Sequence, residues 1–176
     1  MRPWLTALAI LVSLATPAAG DEPGALRAAA QGFYGVYETF HPSSGIPGDA
    51  DRARYRPYVS PALDALLKQA GDAEARFARA NKDSPPLVEG DLFSSLFEGA
   101  TGVALGACSG DDRNGQCAVN LTYADPGDKP TSWTDTVYLV NTPLGWRVDD
   151  IGFGGSWAFG NKGKLSDTLR QVAGFP

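Results

Sequence analysis

Residues 117–124, Cys117-Ala118-Val119-Asn120-Leu121-Thr122-Tyr123-Ala124, alternate between apolar and polar side chains. Period two puts Cys117, Val119, Leu121 and Tyr123 on one face and Asn120 and Thr122 on the other, which is the pattern of a half-buried strand. The same reading extends outward. Residues 101–108 form a preceding strand, interrupted by Gly102 and Gly106. Asp125-Pro-Gly-Asp-Lys-Pro130 is a turn, and residues 132–141 are rich in Trp, Thr, Val and Tyr, which suit a strand. Thr142-Pro143-Leu144-Gly145 is another turn, and residues 146–153 make a fourth strand. Consecutive strands joined by short turns predict an antiparallel meander.

Upstream the period changes. In residues 24–41, Leu26, Ala30, Phe33, Tyr34, Tyr37 and Phe40 recur at three- and four-residue steps, so an aromatic stripe runs down one helix face. His41-Pro42 ends that helix, and residues 42–50 read as a loop. Residues 51–82 hold one or two helices. Ser60 has the place of an N-cap, with Pro61 at the first helical position and Asp64 in the first turn. Leu63, Leu66, Leu67 and Ala70 give the apolar face, and Gly71-Asp72 is a potential break. Residues 83–91 are linker. Leu92, Phe93, Leu96 and Phe97 read either as a short helical turn or as anchors of a loop on the core. A glycine-rich, irregular segment covers 154–163, and Leu165 to Ala173 closes the chain as a short helix. Helices first and a meander after them predict an α+β domain over residues 21–176, with N-terminal helices packed on a curved antiparallel sheet of about four strands.

The first twenty residues read as a cleavable secretory signal: Arg2, an uncharged apolar run from Trp4 to Ala15, then small residues around Pro17. Cleavage is expected before Asp21, or alternatively after Ala18. The apolar run is shorter than the roughly 20 residues a spanning helix needs. The expected location is therefore the periplasm or the medium, with no membrane attachment after cleavage. Fifteen Lys and Arg stand against twenty Asp and Glu, a formal net charge of −5. That balance argues against nucleic acid as a partner. Cys108 and Cys117 are the two cysteines of the chain, separated by a run of turn-forming residues. In an oxidising compartment they are expected to close a hairpin as a disulfide. The chain-entropy model assigns such a loop about 2.5–3 kcal/mol.

Three segments resemble a family of exported bacterial proteins, the domain of unknown function 3828 family. They are Phe33-Tyr34-Gly35-Val36-Tyr37, Tyr58-Val59-Ser60-Pro61-Ala62-Leu63-Asp64-Ala65-Leu66-Leu67, and Gly145-Trp146-Arg147-Val148-Asp149-Asp150-Ile151 followed by Leu165 to Val172. The resemblance implies a cone-shaped fold like that of nuclear transport factor two, in which a curved sheet wraps helices and often leaves a pocket. It implies no particular activity. The chain departs from the family pattern at Gly152–Gly163.

Strict alternation places Trp146, Val148 and Asp150 on one face of the fourth strand and Arg147, Asp149 and Ile151 on the other. Asp150 is then the inward aspartate. It reads either as a pocket carboxylate beside Tyr34 and Tyr37, or as a cap of the final helix or partner of an arginine. Tyr34, Tyr37, Trp146 and Asp150 are the candidate pocket residues, with core packing as the alternative for the aromatic ones. Trp133 and Trp157 read as packing residues or as stacking surfaces. Asp111-Asp112-Arg113-Asn114-Gly115 lacks the spacing of a calcium loop and reads as a hairpin tip. His41, without an evident acidic partner, reads as a surface residue. No metal or cofactor is expected, because the chain lacks clustered ligands, a nucleophile elbow and a phosphate-cradling glycine loop. The leading expectation is a binding domain for a small apolar ligand or a protein partner. The alternatives are an isomerase- or dehydratase-like enzyme using Asp150 with Tyr34 or Tyr37, and an immunity- or inhibitor-type protein for another exported enzyme.

Overall fold

The computed structural model describes residues 22–174, so the leader read from residues 1–20 lies outside the described residues. Three helices come first: α1 (Glu22–Thr39), α2 (Asp49–Tyr55) and α3 (Pro61–Ala80). Five strands follow: β1 (Gly102–Gly110), β2 (Asn114–Tyr123), β3 (Thr131–Thr142), β4 (Gly145–Phe153) and β5 (Gly163–Lys164), then α4 (Leu165–Ala173). The sheet order is β1-β2-β3-β4-β5, antiparallel throughout. The domain is therefore α+β with helices, meander and closing helix in the expected order. The fifth strand is a two-residue addition that is too short to carry a period.

α3 begins as its sequence dictates. Ser60 is the N-cap, its Oγ accepting from Leu63 N at 3.0 Å, with Pro61 at N1 where no amide partner is needed. Gly71 does not break the helix, because Leu67, Ala70 and Ala73 on either side of it are buried. Burial of the apolar face outweighs the roughly 1 kcal/mol that a mid-helix glycine costs. The segment 91–96 forms no helix; every residue in it is buried, and Leu92 and Phe93 are wholly enclosed. It is an anchored loop.

The helices cover one face of the sheet. Cys117, Val119 and Leu121 of β2, Val137 and Leu139 of β3, and Val148 and Ile151 of β4 point into the core. Leu26, Ala30, Phe33, Tyr34 and Tyr37 of α1 meet them there. Full burial of each large side chain contributes about 1.5–3 kcal/mol. The opposite face is polar: Thr134 Oγ1 donates to Asn120 at 2.9 Å, and Thr122 pairs with Ser132 at 3.2 Å across in-register strands.

Two β-bulges shape the sheet. In β1 the pairing steps from Leu105↔Val119 to Cys108↔Cys117, so one residue is extra. The Arg27 guanidinium donates to the carbonyls of Leu105 and Gly106 at that point. The bulge brings Cys108 opposite Cys117, and the two are disulfide-bonded with Cα atoms 4.1 Å apart. The second bulge lies in β4, where Tyr138 pairs with Asp150 and Leu139 with Val148, leaving Asp149 unpaired. From there the alternation of β4 reverses.

Candidate functional site

The β4 bulge corrects the expected placement of Asp150. Trp146 and Val148 are buried as expected, but the next inward residue is Ile151, not Asp150. Asp150 sits opposite Tyr138, whose neighbours Val137 and Leu139 turn to the core, so Asp150 faces away from α1. Its carboxylate accepts from Ser166 N at 2.9 Å and from Ser166 Oγ at 2.7 Å in the first turn of α4. It also accepts from Ile151 N. An acceptor there satisfies amides that the helix start leaves free, and its charge suits the helix dipole. Asp149 accepts from Ser60 Oγ, the cap of α3. This Asp pair thus ties β4 to the starts of two helices. The structure does not bring Asp150 together with Tyr34 and Tyr37 in one cavity.

The two tyrosines are core residues, 2% and 0% exposed. Ala100 N donates to Tyr37 Oη at 2.7 Å, while Tyr34 Oη is buried without a hydrogen bond. Burial pushes the Tyr34 hydroxyl well above the ordinary tyrosine value, and Asp135, Tyr37 and Asp91 add to the shift. Burial and then Asp91 push Tyr37 up as well, against the Ala100 amide. Tyr55, donating to the Phe40 carbonyl, is raised by burial and then by Asp91 and Asp51. Raised folded values mean that these groups favour folding fully below about pH 10 and lose that contribution as pH climbs toward the folded values. Tyr34, Tyr37 and Tyr55 are therefore expected to ionise together with unfolding. The check is tyrosinate absorbance followed alongside circular dichroism through an alkaline titration. The chain holds three other tyrosines, so more than three tyrosinates forming near pH 10 with circular dichroism intact would contradict it.

His41 is not a lone surface residue. Its Nδ1 lies 2.5 Å from Asp91 Oδ2, and Asp91 is enclosed, whereas a quarter of the histidine side chain is exposed. Both atoms lack an aligned hydrogen bond, so the contact is a close approach rather than an in-plane bond. The imidazole stacks on Tyr37 with ring centroids 4.2 Å apart. Gly99, at φ 84°, makes room: a Cβ there would lie 2.8 Å from Asp91 Oδ2, 2.9 Å from His41 Cε1 and 3.2 Å from Tyr37 Oη. Asp91 also accepts from Phe93 N at 2.7 Å. The cluster also includes the buried Ser94 hydroxyl, hydrogen-bonded to Tyr37. What it does is pin the start of the 91–99 loop to the end of α1.

A second buried carboxylate pins the other side of that loop. Asp135 is wholly enclosed on β3 and accepts from Ser95 N at 2.9 Å, Gly154 N at 2.8 Å, Trp133 Nε1 at 3.2 Å, and Ser95 Oγ. Asn161 adds three bonds: Nδ2 to the carbonyls of Asp91 and Ser94, and N to that of Ser95. The glycine-rich stretch 154–161 is thereby sewn onto 91–97. Sequence reasoning passed over Asp135, Asp91 and Asn161. A signal for Asp135 exists in the parity of β3, which sets it on the same face as Trp133, Val137 and Leu139. For Asp91 and Asn161 no local signal exists.

Between the two sewn segments lies an open cleft of about 500 Å³, lined by Glu89, Leu96, Phe97, Glu98, Trp157 and Phe159, with Ala158 and Gly160. Phe159 is 88% exposed and Phe97 39%. Trp157 is held edge-on against Trp133, centroids 5.2 Å apart. It also lies over Gly155, where a Cβ would come within 2.3 Å of its ring. The candidate residue Trp146 is a core side chain and does not line this cleft. A further cavity of about 430 Å³ lies between α2 and α3, but its charges satisfy one another: Arg52 with Asp49, Lys68 with Asp72, and Glu74 with the amides of Ile46 and Val88. Among the described residues no helix is long and apolar enough to cross a membrane, and no His, Cys, Asp and Glu cluster suits a metal. Comparison with family models, with curated proteins and with solved structures finds no match.

Proposed function

We propose that this chain is a binding domain that performs no chemistry and takes a small apolar ligand, or the apolar tip of a partner, in the cleft between Phe97 and Phe159. One observation carries the reading. Phe159 stands 88% exposed on a segment fastened on either side by part-buried hydrogen bonds from Gly154 and Asn161. Exposed aromatic surface is unfavourable in water, and when it lines a concave, fixed surface it marks a site for apolar contact. The cleft falls within the roughly 300–1,000 Å³ range of small-molecule sites. Preformed walls reduce the ordering cost of binding.

The test uses the neutral dye Nile red. Its fluorescence is expected to rise on adding the folded protein. The rise should fall at least about fivefold in a Phe97→Ser/Phe159→Ser double variant whose melting temperature is unchanged. Equal fluorescence with both proteins would place the binding elsewhere and sink the proposal.

We further propose that the domain acts after export and belongs with the exported family it resembles. The three resembling segments support this by their positions: the aromatic pair on α1, the Ser60 cap of α3, and the 145–151 strand leading to α4. Recovery from periplasm or medium of a chain beginning at Asp21, or at Ala19, is the expected outcome. A cell-retained chain still beginning at Met1 would refute export.

A further inference from the structure

Resting on that binding reading, we infer that the cleft selects a free organic ammonium ion carrying an apolar body, in preference to neutral or anionic molecules of the same shape. Three of its lining side chains are aromatic, Phe97, Trp157 and Phe159, and its charged ones are both carboxylates, Glu89 and Glu98. No lysine or arginine lines it, and Lys162, two residues beyond Gly160, stays outside. Several carboxylates elsewhere are engaged: Asp49 and Asp64 with Arg52, Asp72 with Lys68, Asp167 with Arg170. Asp135, Asp149 and Asp150 accept hydrogen bonds. Glu89 and Glu98 have neither an ion pair nor a hydrogen bond among the described residues. The cleft therefore combines aromatic rings with two uncompensated negative charges.

That combination has one chemical complement. The face of an aromatic ring is negative and attracts a cation, most strongly when the ring is Trp and the cation is weakly hydrated. An alkylated ammonium meets both conditions, because its methyl groups pack as apolar surface while its charge is spread over them. A carboxylate at the rim adds attraction for the cation and repels an anion. A neutral ligand gains nothing from these exposed charges, so discrimination arises from attraction of the cation and repulsion of an anion. The fixed position of Trp157, between Trp133 and the bare backbone of Gly155, means that this ring need not be ordered on binding.

The experiment is isothermal titration calorimetry of the folded protein with benzyltrimethylammonium, neopentylbenzene (its uncharged isostere) and benzenesulfonate. The expected result is binding of the ammonium about tenfold tighter than the isostere, with no detectable binding of the sulfonate. A Glu89→Gln/Glu98→Gln variant, whose changes lie on exposed side chains, should remove most of that preference and leave the isostere unaffected. Added salt should weaken the ammonium alone. If ammonium and isostere bind equally, and both lose affinity in the Phe97→Ser/Phe159→Ser variant, the charge preference is wrong and the apolar cleft stands. Tightest binding by the sulfonate also overturns the preference. If none of the three probes binds, the ammonium proposal is wrong; the Nile red result then judges the cleft separately.

Discussion

Asp135→Ala is expected to destabilise the domain by about 4 kcal/mol or more, with the urea midpoint as the measurement. The carboxylate is wholly enclosed and gathers four donors from Ser95, Trp133 and Gly154. Alanine leaves the Ser95 and Trp133 donors in an enclosed site, and each unsatisfied donor costs about 1–3 kcal/mol. Against a typical domain stability of roughly 5–15 kcal/mol, that removes a large share. Asp135→Asn keeps the volume and one oxygen acceptor, so it should lose less than the alanine variant. The damage should also be local. Ser95 and Gly154 stand on the two segments that form the cleft walls, so a surviving Asp135→Ala protein should lose Nile red binding. A loss below about 1 kcal/mol would mean that water replaces the carboxylate, and that this residue does not hold the walls.

Phe33→Ala is expected to cost about 3–5 kcal/mol. Its ring centroid lies 5.1 Å from that of Tyr34, 5.2 Å from Tyr55 and 5.4 Å from Phe93. It thus joins α1 to α2 and to the buried 91–96 loop. Tyr55 and Phe93 meet each other at 4.9 Å, so the void left by Phe33 is bounded by rigid rings that collapse poorly. Phe33→Leu should recover much of the loss, because packing volume rather than polarity is at stake. Calorimetric or urea unfolding of the pair measures this. A cost for alanine near that for leucine would show that the neighbours close the void.

These two residues differ in how visible they are in the chain. Phe33 stands in a three- and four-residue stripe with Leu26, Ala30, Tyr34 and Tyr37, and that period alone assigns it to the core face of α1. Asp135 stands in a strand of the right composition, yet its four partners come from segments up to 40 residues away. His41 and Asp91 are separated by 50 positions, and only the folding of the 91–99 loop under α1 makes them a pair. Asp150 shows the limit of parity. Alternation is a local rule, but a bulge depends on pairing with a second strand, and a single extra residue at Asp149 reverses every later assignment in β4.

Much of this fold is written in nearest-neighbour physics. The α1 stripe, the Ser60 cap, the meander from residue 101 to 153, the closing helix and the Cys108–Cys117 bridge all follow from spacing, turn residues and short loops. Long-range packing settles that Asp150 serves α4 rather than a pocket, and that His41 has a buried acid beside it. It alone turned a glycine-rich stretch into the wall of an aromatic cleft. The physical reason is that hydrogen bonds to buried carboxylates are made between segments far apart in the chain. Their cost or benefit depends on enclosure, which no stretch of sequence carries by itself.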